Sequence, residues 1–340
     1  MTSHIMKGFY GVQASLYATL KSLIESQNKM ERFSVLLKAL LIPFIALTIF
    51  MFFWSVGASH VKTSLGQVPG PTKVWEQTLQ LIDEHKEERV KEQAFYERQE
   101  KRNAKKLAKN PDAKVKIRSY TGKATFFDQI WTSIVTVATG FIIASLIAIP
   151  VGIICGLSPM LYMALNPLIQ IFKPVSPLAW LPIVTMIVSA VYISDDPMFD
   201  KSYLTSAITV TLCCLWPTII NTTVGVSTID KDLINVSKVL RLKWYTKIFK
   251  IVIPSSIPMM FAGLRVSLGI GWMVLIAAEM LAQNPGLGKF VWDEFQNGSS
   301  DSLARIMVAV LAIGIIGFIL DRLMLGLQKM VSWDKSAVIR

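Results

Sequence analysis

Histidine is scarce in this chain, and its three copies, His4, His60 and His85, are scattered outside the long apolar runs. No cluster of acidic or basic residues with the spacing of a catalytic site accompanies them. The chain also lacks the glycine-rich loop, ending in Lys-Ser or Lys-Thr, that cradles nucleotide phosphates. These absences exclude ATP hydrolysis by this chain itself, and we predict neither catalytic residues nor a metal site.

Cysteine and charged residues are also few. Cys155, Cys213 and Cys214 all lie in apolar runs, where they are interpreted as small packing residues. Their spacing gives neither a metal site nor a disulfide framework. Charged residues make up 17% of the chain and apolar residues 52%, which is more apolar than a typical soluble protein. We therefore predict an all-α integral membrane protein.

Six apolar stretches are long enough to cross a bilayer, since each has about 18 residues or more. The third is interrupted by Pro167, Pro174, Pro177 and Pro182, which free backbone carbonyls and bend the helix. Broken helices of this kind recur where a substrate path needs polar backbone. The six predicted spans cover about residues 35–57, 129–156, 161–193, 203–226, 255–282 and 304–327.

The distribution of Lys and Arg predicts the orientation of the chain in the membrane. Basic residues exceed acidic ones in the leader (1–34), in the connector (227–254) and in the tail (329–340). Six spans place these segments on one side, so we predict that both termini are cytoplasmic in a bacterial inner membrane. The same bias, rather than nucleic-acid binding, accounts for the net charge of +12. The opposite loops are acidic, with Asp195, Asp196, Asp200, Asp293, Glu294 and Asp301.

A long charged insertion, residues 58–128, separates the first span from the core at 129–328. After the break at Pro69-Gly70-Pro71, residues 72–110 are rich in Glu, Lys, Gln and Ala, as in an exposed helix. Long loops cross the membrane largely regardless of charge, so this segment does not overturn the orientation. We predict an extracytoplasmic helical arm with a solvated surface, and contact with a partner is the alternative.

The connector contains a basic, amphipathic block that predicts a helix of about four turns, closed by Pro254. Its apolar stripe, Leu233, Val236, Val239 and Leu240, lies opposite Lys and Arg. A bare loop would not need such a stripe, whereas a helix that docks on a soluble partner would. A helix lying in the membrane interface is the alternative interpretation.

Two cations fall inside the predicted spans, where charge is costly and therefore informative. Lys173 lies about twelve residues into the third span and Arg265 about ten into the fifth, or roughly 18 and 15 Å deep. We expect no acidic residue at that depth to neutralise them, and we predict that both line an anion path. The alternatives are that Lys173 snorkels and that Arg265 bonds carbonyls freed by the prolines.

Glu279 is expected nearer the outer end of the fifth span, where it would brace an outer gate. It would do so by pairing with a cation or by accepting backbone hydrogen bonds. Trp272 and Met273 lie between Arg265 and Glu279, and they either form a hydrophobic constriction or pack in the core. The small residues before them, at Gly263, Ser267, Gly269 and Gly271, are typical of close helix packing.

The connector resembles the cytoplasmic coupling motif of type I ATP-binding-cassette importer permeases. That motif reads Glu-Ala-Ala, three residues, Gly, nine residues and Ile-x-Leu-Pro, and Ile251-Val252-Ile253-Pro254 stands at its end here. Asn235-Val236-Ser237 then occupies the Glu-Ala-Ala positions and Arg241 the Gly position, which are departures from the pattern. Because glycine is absent there, the usual turn geometry at Arg241 is in question.

Other segments are similar to the nitrate, sulfonate and taurine branch of that family, namely Pro258, Gly263-Leu264-Arg265 and Ala278-Glu279-Met280. Several look most like nitrate and bicarbonate permeases. They are Val68-Pro69-Gly70-Pro71, the stretch from Pro174 to Pro182, Trp292-Asp293-Glu294 and Leu320-Asp321-Arg322-Leu323-Met324. The resemblance covers roughly residues 35–75 and 125–330, and the arm at 76–120 is longer than the family pattern.

The resemblance implies the type I importer permease fold and a transport subunit that is not an enzyme. Two copies would form one pore, as a homodimer, within membrane lipid. Two cytoplasmic ATPase subunits would bind ATP and Mg²⁺ and clamp onto the connectors, and a substrate-binding protein would deliver nitrate at the outer face. This chain would hold no cofactor. The residues expected to couple the ATPases to the pore are Leu233, Asn235, Val236, Ser237, Val239, Leu240, Arg241 and Pro254.

Other substrates and other classes of protein remain alternatives. Bicarbonate, nitrite, cyanate and sulfonates such as taurine stay open, because in this family the binding protein sets much of the selectivity. An ion-driven secondary carrier would need a proton relay or a sodium site within the spans, and none is visible in the sequence. An integral membrane enzyme would need clustered Asp or His at the membrane face, and the acidic loops are too sparse for that.

Overall fold

The computed structural model describes residues 29–63, 66–109, 115, 117–193, 198–299 and 301–331. Two compact units divide the chain, and the boundary between them falls at Lys73 and Val74. The orientation argument used several charges that lie outside the described residues, namely Lys7, Lys21, Asp195, Asp196, Lys335 and Arg340.

The described part of the first unit contains one long helix and a short hairpin. Helix α1, Lys29–His60, includes the first predicted span and exposes large apolar side chains along Leu41–His60, as a lipid-facing helix would. Strands β1 (Lys62–Thr63) and β2 (Gly66–Gln67) then pair in antiparallel fashion. The Gln67 amide donates a hydrogen bond of 2.9 Å to the Ser59 carbonyl, which ties the hairpin to the end of α1.

The remaining helices contain the arm, the other predicted spans and the connector. Among the described residues, five helices are long and apolar enough to cross a membrane, and a bent pair is the sixth candidate. These elements are α2 (Pro71–Lys109), α3 (Phe126–Leu157), α4 (Pro159–Phe172), α5 (Pro177–Val191), α6 (Lys201–Ser227), α7 (Lys231–Val239), α8 (Trp244–Lys247), a π-helical turn (Ile248–Val252), α9 (Ile253–Ala282), α10 (Leu287–Asn297) and α11 (Ser302–Val331).

Helices α3 and α6 pack closely and run parallel. A Cβ added at Gly152 would lie 2.6 Å from the Cβ of Thr222, so glycine is what allows the two backbones to approach there. Hydroxyl groups cross the same contact, since Thr211 and Thr223 donate to the carbonyls of Gly140 and Gly152, at 3.1 and 3.2 Å. Both hydrogen-bonded pairs are 71 residues apart, which requires parallel helices in constant register.

Because α3 and α6 run parallel, the bent pair between them must carry the chain from one end of the bundle to the other. Helix α3 ends at one end of the bundle and α6 begins at the other, so α4 and α5 together return the chain across it. The two helices meet at 99°, and Pro174 and Pro177 lie at the bend because proline cannot continue a helix's hydrogen bonds. The third span is therefore present as predicted, but as two helices.

Helix α9 runs antiparallel to α6 and to α11. Ser267 bonds Thr218 (2.6 Å) and the Cys214 carbonyl (2.8 Å) of α6. Toward α11, three polar contacts recur every seven residues along α9: the Gln328 amide on the Pro258 carbonyl, Arg265 on Asp321, and the Trp272 indole on the Ile313 carbonyl. Seven residues are about two helical turns, so these contacts share one face of α9.

The arm is the helix that the sequence predicts, and its first half is fastened to the bundle. Arg305, near the start of α11, pairs with Glu84 of the arm and with Glu294 of α10, and it bonds Gln77 at 3.2 Å. Ser302 donates a second hydrogen bond to Glu294, at 2.8 Å. This polar junction lies where α3, α6 and α11 begin and α9 ends, opposite the connector.

A second set of contacts joins the arm to the segment that precedes α3. Arg89 pairs with Asp128 at 2.8 Å, and Asp128 also accepts from Thr125 in a capping box that starts α3. Tyr120 donates to Glu88 at 2.7 Å, which lowers the pKa of Glu88 and raises the pKa of Tyr120. The segment that precedes α3 therefore runs along the arm toward the bundle.

We expect Arg305→Ala to loosen the arm, because it leaves Glu84 and Glu294 without their shared cation. The loss of about 1–3 kcal/mol would speed amide hydrogen exchange in residues 77–88 by roughly 5- to 150-fold. Arg98→Ala is the matched control, since Arg98 bonds the Ala94 carbonyl of its own helix. Equal exchange rates in the two variants, measured by mass spectrometry, would contradict the fastening role.

Candidate functional site

The connector forms a short exposed helix, α7, at the end of the bundle away from the arm. Leu233, Val236, Val239 and Leu240 all expose their apolar side chains, and Val239 is 81% exposed. Ser237, at the edge of this stripe, is buried and donates to the Ile234 carbonyl at 2.6 Å. Asn235 is exposed. The stripe therefore faces outward, unpacked by this chain's own described residues.

Arg241 ends α7 by adopting the left-handed conformation, with φ of 47°. Its N–H bonds the Lys238 carbonyl (3.0 Å) and the next N–H, of Leu242, bonds the Ser237 carbonyl (3.1 Å). This pair of bonds is the Schellman motif, in which glycine is the usual residue at the position of Arg241. The turn expected of a glycine is thus kept with arginine in its place.

The predicted four-turn helix closed by Pro254 is wrong in two respects. Helix α7 has nine residues, because the left-handed turn at Arg241 stops it, and Leu240 and Arg241 lie beyond its end. Pro254 does not close the block either, since the chain is helical from Trp244 through Ala282. A π-helical turn precedes Pro254, with the Ile253 N–H bonded to the Ile248 carbonyl. Pro254 then sits in the first turn of α9, where its missing N–H is tolerated.

Arg265 is not the unpaired cation that the sequence suggested. Its guanidinium makes a two-pronged ion pair with Asp321 of α11, with Nη2 at 3.0 Å from Oδ2. The expectation failed because Asp321 is 56 residues away and approaches only through the antiparallel packing of α9 and α11. Arg322 donates to the same carboxylate at 2.8 Å, so one acid serves two cations.

Lys173 lies in the bend between α4 and α5, where it caps α4 and exposes its side chain. The sequence-based depth of roughly 18 Å assumed one continuous helix, and the 99° bend removes that basis. Lys173 and Arg265 are therefore not established at the same level. The contribution of Lys173 to an anion path stays a prediction.

Trp272 and Met273 have different environments. Trp272 is buried and donates from its indole to the Ile313 carbonyl at 3.0 Å, so it packs between α9 and α11. A Cβ at Gly317 would lie 3.1 Å from the same indole, which shows how closely α11 approaches. Met273 is 69% exposed. For Trp272 the geometry favours the packing alternative over a constriction.

Glu279 is fully buried and joins three helices. Both of its carboxylate oxygens lie within 2.9 Å of the Ser133 hydroxyl of α3, and Oε2 accepts from the Gly288 N–H at 2.9 Å. Ser133 in turn accepts from the Leu287 N–H at 2.8 Å. A side chain at Gly286 would collide with the Glu279 carboxylate, so glycine is required for this close approach. Glu279 was expected either to pair with a cation or to accept backbone hydrogen bonds, and the structure contains the backbone hydrogen bond.

The residues that sequence reasoning missed are Asp321, Arg322 and Ser133. Asp321 carried a usable signal, because an acid inside an apolar span requires a partner and is rarely placed by chance. Ser133 carried none, since serine is common in packed membrane helices. Among the described residues, no three His, Cys, Asp or Glu side chains cluster as metal ligands.

The chain matches the family described as binding-protein-dependent transport system inner membrane component over residues 148–332. It belongs to this family. The matched region runs from the second half of α3 to the end of α11, so it contains the bent pair, α7 and the ion-paired α9 and α11. The chain is accordingly a permease component of an ATP-binding-cassette importer of the nitrate and bicarbonate type.

Some of the relatives are named for nitrate and others for bicarbonate. The chain is 37% identical over 204 residues to the nitrate import permease protein NrtB of Synechococcus elongatus, which covers 60% of this chain and 69% of the relative. It is 39% identical over 207 residues to the bicarbonate transport system permease protein CmpB of Synechocystis, which covers 61% and 69%. CmpB of Synechococcus elongatus is 31% identical over 87% of this chain and 90% of the relative.

The fold resembles a solved importer. A chain of the MetNI methionine ABC transporter, in inward-facing form, aligns with a TM-score of 0.53 over 61% of this chain and 96% of that chain. The identity is 12%, so the likeness concerns the fold alone. It agrees with the predicted type I importer permease fold.

We expect Arg241→Gly to stabilise the end of α7, because glycine adopts the left-handed conformation without the Cβ penalty. The gain of about 1 kcal/mol would slow amide exchange in residues 237–242 roughly fivefold. Lys238→Gly is the control, since glycine inside the helix costs about 1 kcal/mol and would speed the same exchange. Faster exchange in Arg241→Gly would show that the turn does not depend on backbone strain.

Proposed function

We propose that this chain is the pore subunit of an importer that moves a small inorganic anion, nitrate foremost, into the cytoplasm by alternating access. Separate ATPase subunits would supply the energy, binding ATP and Mg²⁺ themselves. The nitrate and bicarbonate permeases among its relatives support the substrate class. Bicarbonate is the second candidate, because relatives with that name match at similar identity.

The observation that carries this proposal is the position and exposure of α7. An outward-facing apolar stripe, with Lys238 and Arg241 beside it, suits a groove with acidic edges on a soluble subunit. The chain is helical from Trp244 into α9, so a displacement of α7 that passes the short turn at Arg241 reaches a membrane-spanning helix directly. Such a lever lets ATPase closure reshape the pore.

The proposed orientation in the membrane and the proposed assembly both depend on the connector. The connector is basic, with Lys238, Arg241, Lys243, Lys247 and Lys250, which favours the cytoplasmic side. The arm then lies outside, at the end where a substrate-binding protein would deliver its anion. A second copy of this chain is proposed to complete the pore, because one chain presents one connector and two ATPase subunits need two.

We expect cells expressing the whole transporter to accumulate nitrate only while ATP is present. Uptake of ¹⁵N-nitrate would be saturable, and a hundredfold excess of bicarbonate or taurine would leave it within about twofold of its original rate. Cells expressing the transporter without its ATPase subunits are the control. Bicarbonate accumulation without nitrate uptake would move the assignment to the second candidate, and uptake without the ATPases would indicate a secondary carrier.

Leu240→Asp is expected to separate ATP hydrolysis from transport. A carboxylate in the exposed stripe must be desolvated on docking, and the cost of about 2–3 kcal/mol would reduce nitrate uptake more than tenfold. Membrane insertion, followed by protein abundance in the membrane fraction, would stay unchanged. Val90→Asp is the matched control, because Val90 is similarly exposed, at 63%, but lies on the arm. Normal uptake by Leu240→Asp would remove the docking role.

A further inference from the structure

Three charged side chains meet where α9 packs against α11. Asp321 accepts from Arg265 through both carboxylate oxygens and from Arg322 through Oδ2, at 2.8 Å. Two guanidinium groups thus share one carboxylate, and the cluster carries a formal charge of +1. We call Arg265, Asp321 and Arg322 the charged triad.

The charged triad lies inside apolar helices and yet is open on one side. Asp321 is ten residues from the end of α11 at Val331, which is about 15 Å along a helix. The side chains of Arg265, Asp321 and Arg322 are 33%, 31% and 35% exposed, respectively. An uncompensated cation at such a depth is unfavourable unless it meets water or an anion. The open side therefore favours an anion at the triad.

The geometry of the guanidinium groups fits a small oxyanion. Arg322 contacts Asp321 through Nη2, while its Nε is buried and has no hydrogen-bond partner. A planar guanidinium presents paired N–H donors that match two oxygens of a planar anion. Nitrate and bicarbonate are both planar, carry one negative charge, and would neutralise the triad.

We infer that the charged triad is a binding site for a monovalent oxyanion on its way through the pore. This inference rests on the proposed function and assigns Arg322 as the residue that contacts the anion. Asp321 holds both guanidinium groups in place and reduces their charge to a single unit, so that the anion is bound but can leave. Arg265 belongs to α9, so movement of the connector along this helix would alter the site.

A lipid phosphate is the other source of the same chemistry. Arg322 folds back over the ring of Phe318, at 5.1 Å, one turn toward Ser302 and away from the nearer helix end at Val331. A lipid-bound arginine would extend toward that nearer end, where phosphates lie. The position of Arg322 therefore favours a free anion over a headgroup.

The test uses the complete transporter reconstituted in liposomes of zwitterionic lipid alone, or with added anionic lipid, and measures ¹⁵N-nitrate uptake. Arg322→Gln is expected to raise the KM for nitrate at least tenfold in both lipid mixtures, with Arg322→Lys in between. Lys329→Gln is the matched control, because it removes the same charge from the same helix outside the triad. ATP hydrolysis without nitrate reports whether each variant is folded and assembled.

The outcomes separate the inference from the function beneath it. If Arg322→Gln hydrolyses ATP normally and keeps the KM of the parent, the triad does not bind the substrate. If its defect appears only with anionic lipid present, the triad binds a phosphate headgroup and the inference is likewise overturned. If the parent transporter moves neither nitrate nor bicarbonate while hydrolysing ATP, the proposed function itself fails.

Discussion

The close packing of α6 between α3 and α9 is the constraint on which the rest of this bundle depends. A glycine at the contact with α3, Gly152, and a Ser–Thr pair at the contact with α9, Ser267 and Thr218, bring the backbones together. In a bilayer there is little hydrophobic gain in associating apolar helices, so close packing and interhelical hydrogen bonds must provide specificity. Once these registers are fixed, the two ends of the bundle acquire different chemistry.

At one end the packing gathers polar groups that hold the helices together. Glu279 is enclosed by α3, α9 and the first N–H groups of α10, and Arg305 joins α10 and α11 to the arm. At the other end the chain leaves an exposed amphipathic helix, α7, outside the packed region. The bundle therefore has one end held together by polar contacts between helices and another end that projects an exposed helix.

The arm likewise combines a half that is fastened to the bundle with a half that is not. Its first half is bonded to the bundle through Arg305 and Arg89. Its second half is dominated by basic residues, since residues 98–118 hold nine Lys or Arg against two acids, more than half of the net charge of the chain. Residues 98–108 of α2 are mostly exposed, and a helix that is polar on all sides does not insert into lipid, so this part of the arm is a solvated helix rather than an interfacial membrane helix.

The sequence by itself determined the local features of this protein: the six apolar stretches, the polar arm, the break among the prolines of the third span and the exposed stripe of the connector. Each depends on residues close together in the chain, through hydropathy, helical periodicity and the missing N–H of proline. Arg241 illustrates the limit, because the sequence located the turn but only the backbone, with φ of 47°, decided that arginine adopts it.

The tertiary structure alone decided the partners of the charged side chains within the spans. Arg265 pairs with Asp321, which is 56 residues away in the sequence, and Glu279 accepts a hydrogen bond from Ser133, which is 146 residues away. Such pairs depend on the relative direction and register of packed helices, and a shift of one residue would rotate a side chain by about 100°. Hydropathy does not contain that information, which is why a cation that looked unpaired in the sequence shares a carboxylate in the fold.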